Sequence, residues 1–67
     1  MDEQAIFNEV TSSLTRRKII EKSREDQEYP FGYVITYLKD IYNLTKTQGY
    51  DLAKRICIHF NLWHLPD

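Results

Sequence analysis

Cys57, His59 and His64 are the residues of this chain whose types suggest a metal. A structural zinc site needs four ligands converging on one point. Cys57 and His59 are two residues apart, and positions i and i+2 of a helix do not face each other. A fourth ligand is missing. Cys57 therefore reads as a small buried hydrophobe, and His59 as a surface residue beside a core Phe60. Catalytic chemistry has no better footing. The sequence contains no Gly-rich phosphate loop and no nucleophile with a base at a recognisable spacing, and its carboxylates lie among bases. A chain of 67 residues also has little room for a water-excluding pocket of about 300 Å³. Neither an enzyme nor a cofactor or metal site is expected.

Binding residues are better represented. Five tyrosines are present: Tyr29, Tyr33, Tyr37, Tyr42 and Tyr50. Tyr33 and Tyr37 are i and i+4, on the side of their helix away from Val34 and Leu38. Tyrosine offers large contact area at low entropic cost and is enriched at interfaces. Tyr33 and Tyr37 are thus candidates for a protein-binding surface, as well as for packing at the edge of the core. Trp63 joins them as a third candidate. It lies in Phe60-Asn61-Leu62-Trp63-His64-Leu65, an apolar segment that either folds back on the core or docks into a partner. Arg16-Arg17-Lys18, with Lys22 and Arg24, is answered by Glu21, Glu25 and Asp26 at helical spacings. That pattern is a salt-bridged, solvated face or a phosphate-contacting patch.

These residues must be held by a small structure. A chain this short buries roughly 60% of the surface its unfolded form exposes, and one cysteine cannot staple it internally. No apolar run is long enough to span a bilayer, and the start, MDEQAIFNEV, is acidic where a signal peptide is basic and then apolar. A cytoplasmic, single-domain protein is expected. The net charge of −1 argues against indiscriminate nucleic-acid binding. The charge is unevenly spread. Met1 to Pro30 holds seven acids and five bases, whereas Phe31 to Pro66 holds two acids and four bases.

The hydrophobic period predicts an all-α bundle of three to four helices, over residues 3–13, 15–25, 30–42 and 46–61 of one domain, 1–67. Ile6, Phe7, Val10 and Leu14 share one helical face. Thr11-Ser12-Ser13 suit caps rather than helix interiors, and after them the face moves to Ile19 and Ile20. This gives a break or kink near Ser12 to Thr15, or one bent helix. Ser23 to Tyr29 carries no apolar period and reads as the linker. Pro30 suits the first turn of a helix. Phe31, Val34, Ile35, Leu38, Ile41 and Tyr42 then recur with helical period. Asn43 can take the left-handed conformation that ends a helix. Thr45-Lys46-Thr47-Gln48 fits a capping box. Leu52, Ala53, Ile56 and Phe60 form the last inner stripe, with Gly49 one turn earlier. The expected core is Ile6, Val10, Ile20, Val34, Ile35, Leu38, Ile41, Leu52, Ile56 and Phe60.

Leu38 to Arg55 resembles the helix-turn-helix of DNA-binding regulators. Leu38, Tyr42, Leu44 and Leu52 occupy its apolar places, Asn43 stands where it usually has Gly, and Thr45 caps the second helix. The resemblance implies a double-stranded DNA partner and a helical pair presenting Thr45, Lys46, Thr47, Gln48, Tyr50 and Asp51 to bases. Gln48 would pair with adenine, and Lys54 and Arg55 would contact phosphates. Two positions depart from that motif. Lys39 stands where it has a small residue, and Gly49 where it has a branched apolar one. A second, shorter resemblance runs from Ser23-Arg24-Glu25-Asp26 through Val34-Ile35-Thr36-Tyr37-Leu38-Lys39-Asp40-Ile41. It is similar to part of the small anti-sigma factor of T-even phages, which implies a helical protein binding a host regulatory protein rather than DNA. The leading expectation is a transcription regulator of the helix-turn-helix kind, acting as a homodimer because one short helix at near-zero net charge supplies little affinity. The alternative is a protein-binding modulator, phage-encoded and anti-sigma-like, working through Tyr33, Tyr37 and Trp63.

Overall fold

The computed structural model describes residues 2–25 and 29–62. They form four helices, α1 (Glu3–Ser13), α2 (Arg16–Glu25), α3 (Pro30–Tyr42) and α4 (Lys46–His59), and no strand. Most of the helix boundaries have a local cause. Asp2 starts α1, its carboxylate accepting from the Ala5 N–H at 2.7 Å. Near the end of α1, the hydroxyls of Thr11 and Ser12 donate back to the carbonyls of Phe7 and Asn8, both at 2.8 Å. Leu14 is then extended and ends the helix. Thr15 caps α2, its hydroxyl accepting from the Lys18 N–H at 3.1 Å. Two separate helices result rather than one bent helix, and α2 begins at Arg16, one residue later than the sequence pattern suggests, because Thr15 serves as the cap.

Two left-handed asparagines end α3 and α4. Asn43 is left-handed, with φ 54°, and its N–H donates to Lys39 at 3.0 Å, ending α3. Asn61 is left-handed as well, with φ 62°. The N–H groups of Asn61 and Leu62 donate to Ile58 at 3.0 Å and Cys57 at 2.7 Å. That pair of bonds is the Schellman arrangement. It stops α4 at His59, two residues short of the expected limit, and turns Leu62 inward, where it is 4% exposed.

α3 packs against both α2 and α4, and α1 packs against α4. The core consists of Ile6, Val10 and Leu14 from the α1 segment, Ile19 of α2, Val34 and Leu38 of α3, Leu52, Ala53, Ile56 and Cys57 of α4, and Leu62. Four expected core residues sit elsewhere. Ile41 is 60% exposed. It occupies the last turn of α3, one turn beyond the buried Leu38. Ile20 yields the centre to Ile19, whose partner one turn on is the buried Ser23. Ile35 flanks the α3 stripe, half-buried, and Phe60 is half-buried as the C-cap of α4 while Leu62 fills the core. Ser23 is 2% exposed, and its hydroxyl has no hydrogen-bond partner among the described residues.

Candidate nucleic-acid interface

Residues 43–45 join α3 and α4 as a tight corner. Leu38 and Leu52 are fully buried beneath it, and Tyr42 and Leu44 are half-buried. The two positions that depart from the helix-turn-helix pattern meet each other. Gly49 is buried, and a Cβ built on it would lie 3.6 Å from Cγ of Lys39. The sizes are exchanged between the helices: the Lys39 stem covers the ground that a branched residue on α4 would fill. Snorkelling leaves its ammonium at the surface beside the turn.

The capping box at the start of α4 is complete. The Gln48 N–H donates to the Thr45 hydroxyl at 3.2 Å, and the Thr45 N–H donates to Oε1 of Gln48 at 3.2 Å. Gln48 is exposed, yet its amide oxygen is committed to the cap. Arg55 is also engaged. Its Nη2 donates to Oε1 of Gln4 at 2.9 Å, and the guanidinium sits 5.0 Å from the Phe7 ring centroid. It ties α1 to α4 instead of pointing away from the bundle.

At about 100° per residue, Lys46, Thr47, Tyr50, Asp51 and Lys54 form one outward arc of α4, and all five are exposed. Gln48 and Arg55 lie on the flank nearer α1. The opposite flank is set by Tyr50, 47% exposed, whose ring meets Phe31 of α3 edge-to-face at 5.0 Å and 85°. The arc offers two lysines, one carboxylate that can only accept, a hydroxyl with a methyl, and a fixed aromatic ring. Lys39 adds a third cation next to it.

The other candidates are distributed as follows. Tyr33 and Tyr37 are half-buried, with ring centroids 6.3 Å apart, and the exposed Ile41 continues their row at i+8 from Tyr33. Trp63 and His64 lie outside the described residues. The Tyr42 hydroxyl donates a short hydrogen bond to Glu9, linking α3 to α1, and that bond, aided by partial burial, raises its pKa to about 12. Burial raises the Cys57 thiol to about 11, which leaves it protonated and unreactive. His59 is exposed and stands edge-on to Phe7 at 5.5 Å and to Phe60 at 4.9 Å. Among the described residues no three His, Cys, Asp or Glu side chains gather as a metal site. On α2, Arg17 pairs with Glu21 at 3.0 Å and Lys22 with Glu25 at 3.2 Å. Among the described residues no helix is long and apolar enough to cross a membrane.

Sequence reasoning did not find the Arg55–Gln4 bond. It joins positions 51 apart, and no local pattern encodes so distant a pair. The Lys39–Gly49 contact did leave a signal: an oversized and an undersized residue at two motif positions that face each other.

No protein-family profile matches the chain, and no curated protein or solved structure is significantly similar to it.

Proposed function

We propose that this protein is a small transcription regulator that binds double-stranded DNA through α4, as a homodimer in the cytoplasm. One observation carries the reading. The Lys39 stem lies 3.6 Å from where a Gly49 Cβ would stand, and the helices that carry them are joined by a left-handed Asn43 and a complete Thr45–Gln48 cap. The outward arc of α4, Lys46, Thr47, Tyr50, Asp51 and Lys54, is exposed. An α-helix with its side chains is about 10–12 Å across, and the major groove is about 12 Å wide. Base edges fall to Thr47, Tyr50 and Asp51, and phosphates to Lys39, Lys46 and Lys54. Thr45 and Gln48 form the cap, and Arg55 fastens α1. With a net charge of −1, one copy has little non-specific affinity, and two half-sites supply what one lacks. The experiment is selection from a random duplex library at low salt, followed by a titration of affinity against salt. Lys46→Ala is expected to weaken all duplexes alike and to reduce the salt slope by about 0.9 per copy. Failure of the wild-type protein to bind any duplex at low salt refutes the reading.

A second reading is supported by Ile41 and Ile58, 60% and 55% exposed. Ile41 extends the Tyr33–Tyr37 row, which suits a regulatory protein of the host as partner. Pull-down from cell extract with and without nuclease separates the two: a nuclease-resistant partner lost in Tyr37→Ala favours the protein surface.

A further inference from the structure

We infer that Tyr50 reads the 5-methyl group of thymine and that Phe31 positions it for this, an inference that rests on the DNA-binding reading above. The outward arc of α4 carries no guanidinium, because Arg55 is bonded to Gln4 and lies over Phe7. The usual bidentate arginine reader of guanine is therefore absent from it. The adenine reader is compromised as well, since the oxygen of Gln48 accepts from the Thr45 N–H. What remains is apolar or acceptor chemistry. Asp51 can only accept, so its partner is a base amino group. Thr47 and Tyr50, one turn apart, present a methyl and a ring. In the major groove the apolar feature is the thymine methyl.

Tyr50 is suited to it by constraint. About half of the residue is exposed, and its ring stands at 85° against Phe31 across the α3–α4 boundary. A ring already fixed by its neighbour loses little further freedom on binding. Lys46 and Lys54 lie at i−4 and i+4 from Tyr50 on the same side, so a strand whose phosphates they touch passes the ring between them.

The test uses the best duplex from selection, made with thymine or with uracil at each thymine in turn. Uracil pairs identically and lacks only the methyl. Affinity is expected to fall about fourfold for each methyl in contact. Tyr50→Ala should bind thymine and uracil duplexes equally. Phe31→Ala should bring the thymine-to-uracil ratio towards one, and Phe31→Tyr should restore it. That ratio, unlike affinity itself, does not move with a loss of folded protein. Equal wild-type affinity for both duplexes overturns the inference and leaves DNA binding intact. A ratio unchanged in Tyr50→Ala also overturns it. Absence of binding to any duplex overturns both readings.

Discussion

Gly49→Ala is expected to stabilise the protein, although a glycine between packed helices is commonly taken to be there for close approach. The added Cβ would lie 3.6 Å from Cγ of Lys39, an ordinary van der Waals distance, with no other neighbour within 4 Å outside its own helix among the described residues. The backbone there is helical, so no left-handed conformation is at stake. Replacing Gly by Ala in a helix removes about 0.5–1 kcal/mol of conformational penalty, and burying a methyl against the Lys39 stem adds up to about 0.8 kcal/mol. The sum is about 0.5–1.8 kcal/mol, centred near 1.2 kcal/mol. For a domain of this size each 1 kcal/mol shifts Tm by roughly 4–8 °C, so a rise of about 5–10 °C should appear in a far-ultraviolet circular-dichroism melt. Gly49→Val should reverse the sign, because its branches meet the Lys39 stem and overpacking costs about 1–3 kcal/mol. Lys39→Ala clears that space. The pair Lys39→Ala with Gly49→Val should therefore be more stable than the two single changes sum to, by about 0.5–3 kcal/mol. A lower Tm in Gly49→Ala, or strict additivity in the double variant, would refute the exchange of sizes between the two helices.

Leu38→Ala should unfold the protein or nearly so, since truncating a fully buried Leu costs about 2–5 kcal/mol; an unchanged melt removes Leu38 from the core. Ser23→Ala should raise stability by about 1 kcal/mol, because it deletes a buried hydroxyl without a partner among the described residues; a loss of that size in urea unfolding would mean the hydroxyl is bonded. Arg55→Ala should leave duplex affinity within about twofold, since a lost phosphate contact would lower it and change the salt slope. The same variant should speed amide exchange in α1, whose packing on α4 Arg55 reinforces through Gln4 and Phe7. A tenfold loss of affinity with α1 exchange unaltered would place Arg55 on DNA. Tyr42→Phe should cost about 0.5–1 kcal/mol at neutral pH, the hydroxyl end lying at the surface. The folded pKa of about 12 stands above the ordinary phenol value of 10.0, so the protonated phenol is the stabilised form. The difference between wild type and variant is then constant from neutral pH up to about pH 10 and lost as pH rises through about 12; a difference that grows with alkali contradicts the Glu9 bond.

Local chemistry and tertiary contact divide this molecule cleanly. Pro30, Asn43 and Thr45-Gln48 act on groups within a few residues of themselves, so their presence in the sequence was enough to place the starts of α3 and α4 and the end of α3. The all-α class followed from the period of Val34 and Leu38 and of Leu52 and Ile56, because a helix needs no distant partner to define its own faces; whether residues 3–25 are two helices or one bent helix did not. The end of α4 was legible only in part: Asn61 could continue the helix or turn left-handed, and burial of Leu62 in the core is what accompanies the turn. The candidate site divides in the same way. Its frame, the capped turn, is local. Which side chains on it remain available is not, because that depends on what reaches α4 from elsewhere. Gln4 and Phe7 of α1 take Arg55, Phe31 of α3 fixes Tyr50, and the stem of Lys39 closes over Gly49. Ile41 shows the limit of periodicity most plainly: its phase put it inside, and only the arrangement of neighbouring helices left it uncovered. Helical phase assigns a direction to each side chain, and whether anything lies in that direction is decided by the rest of the chain.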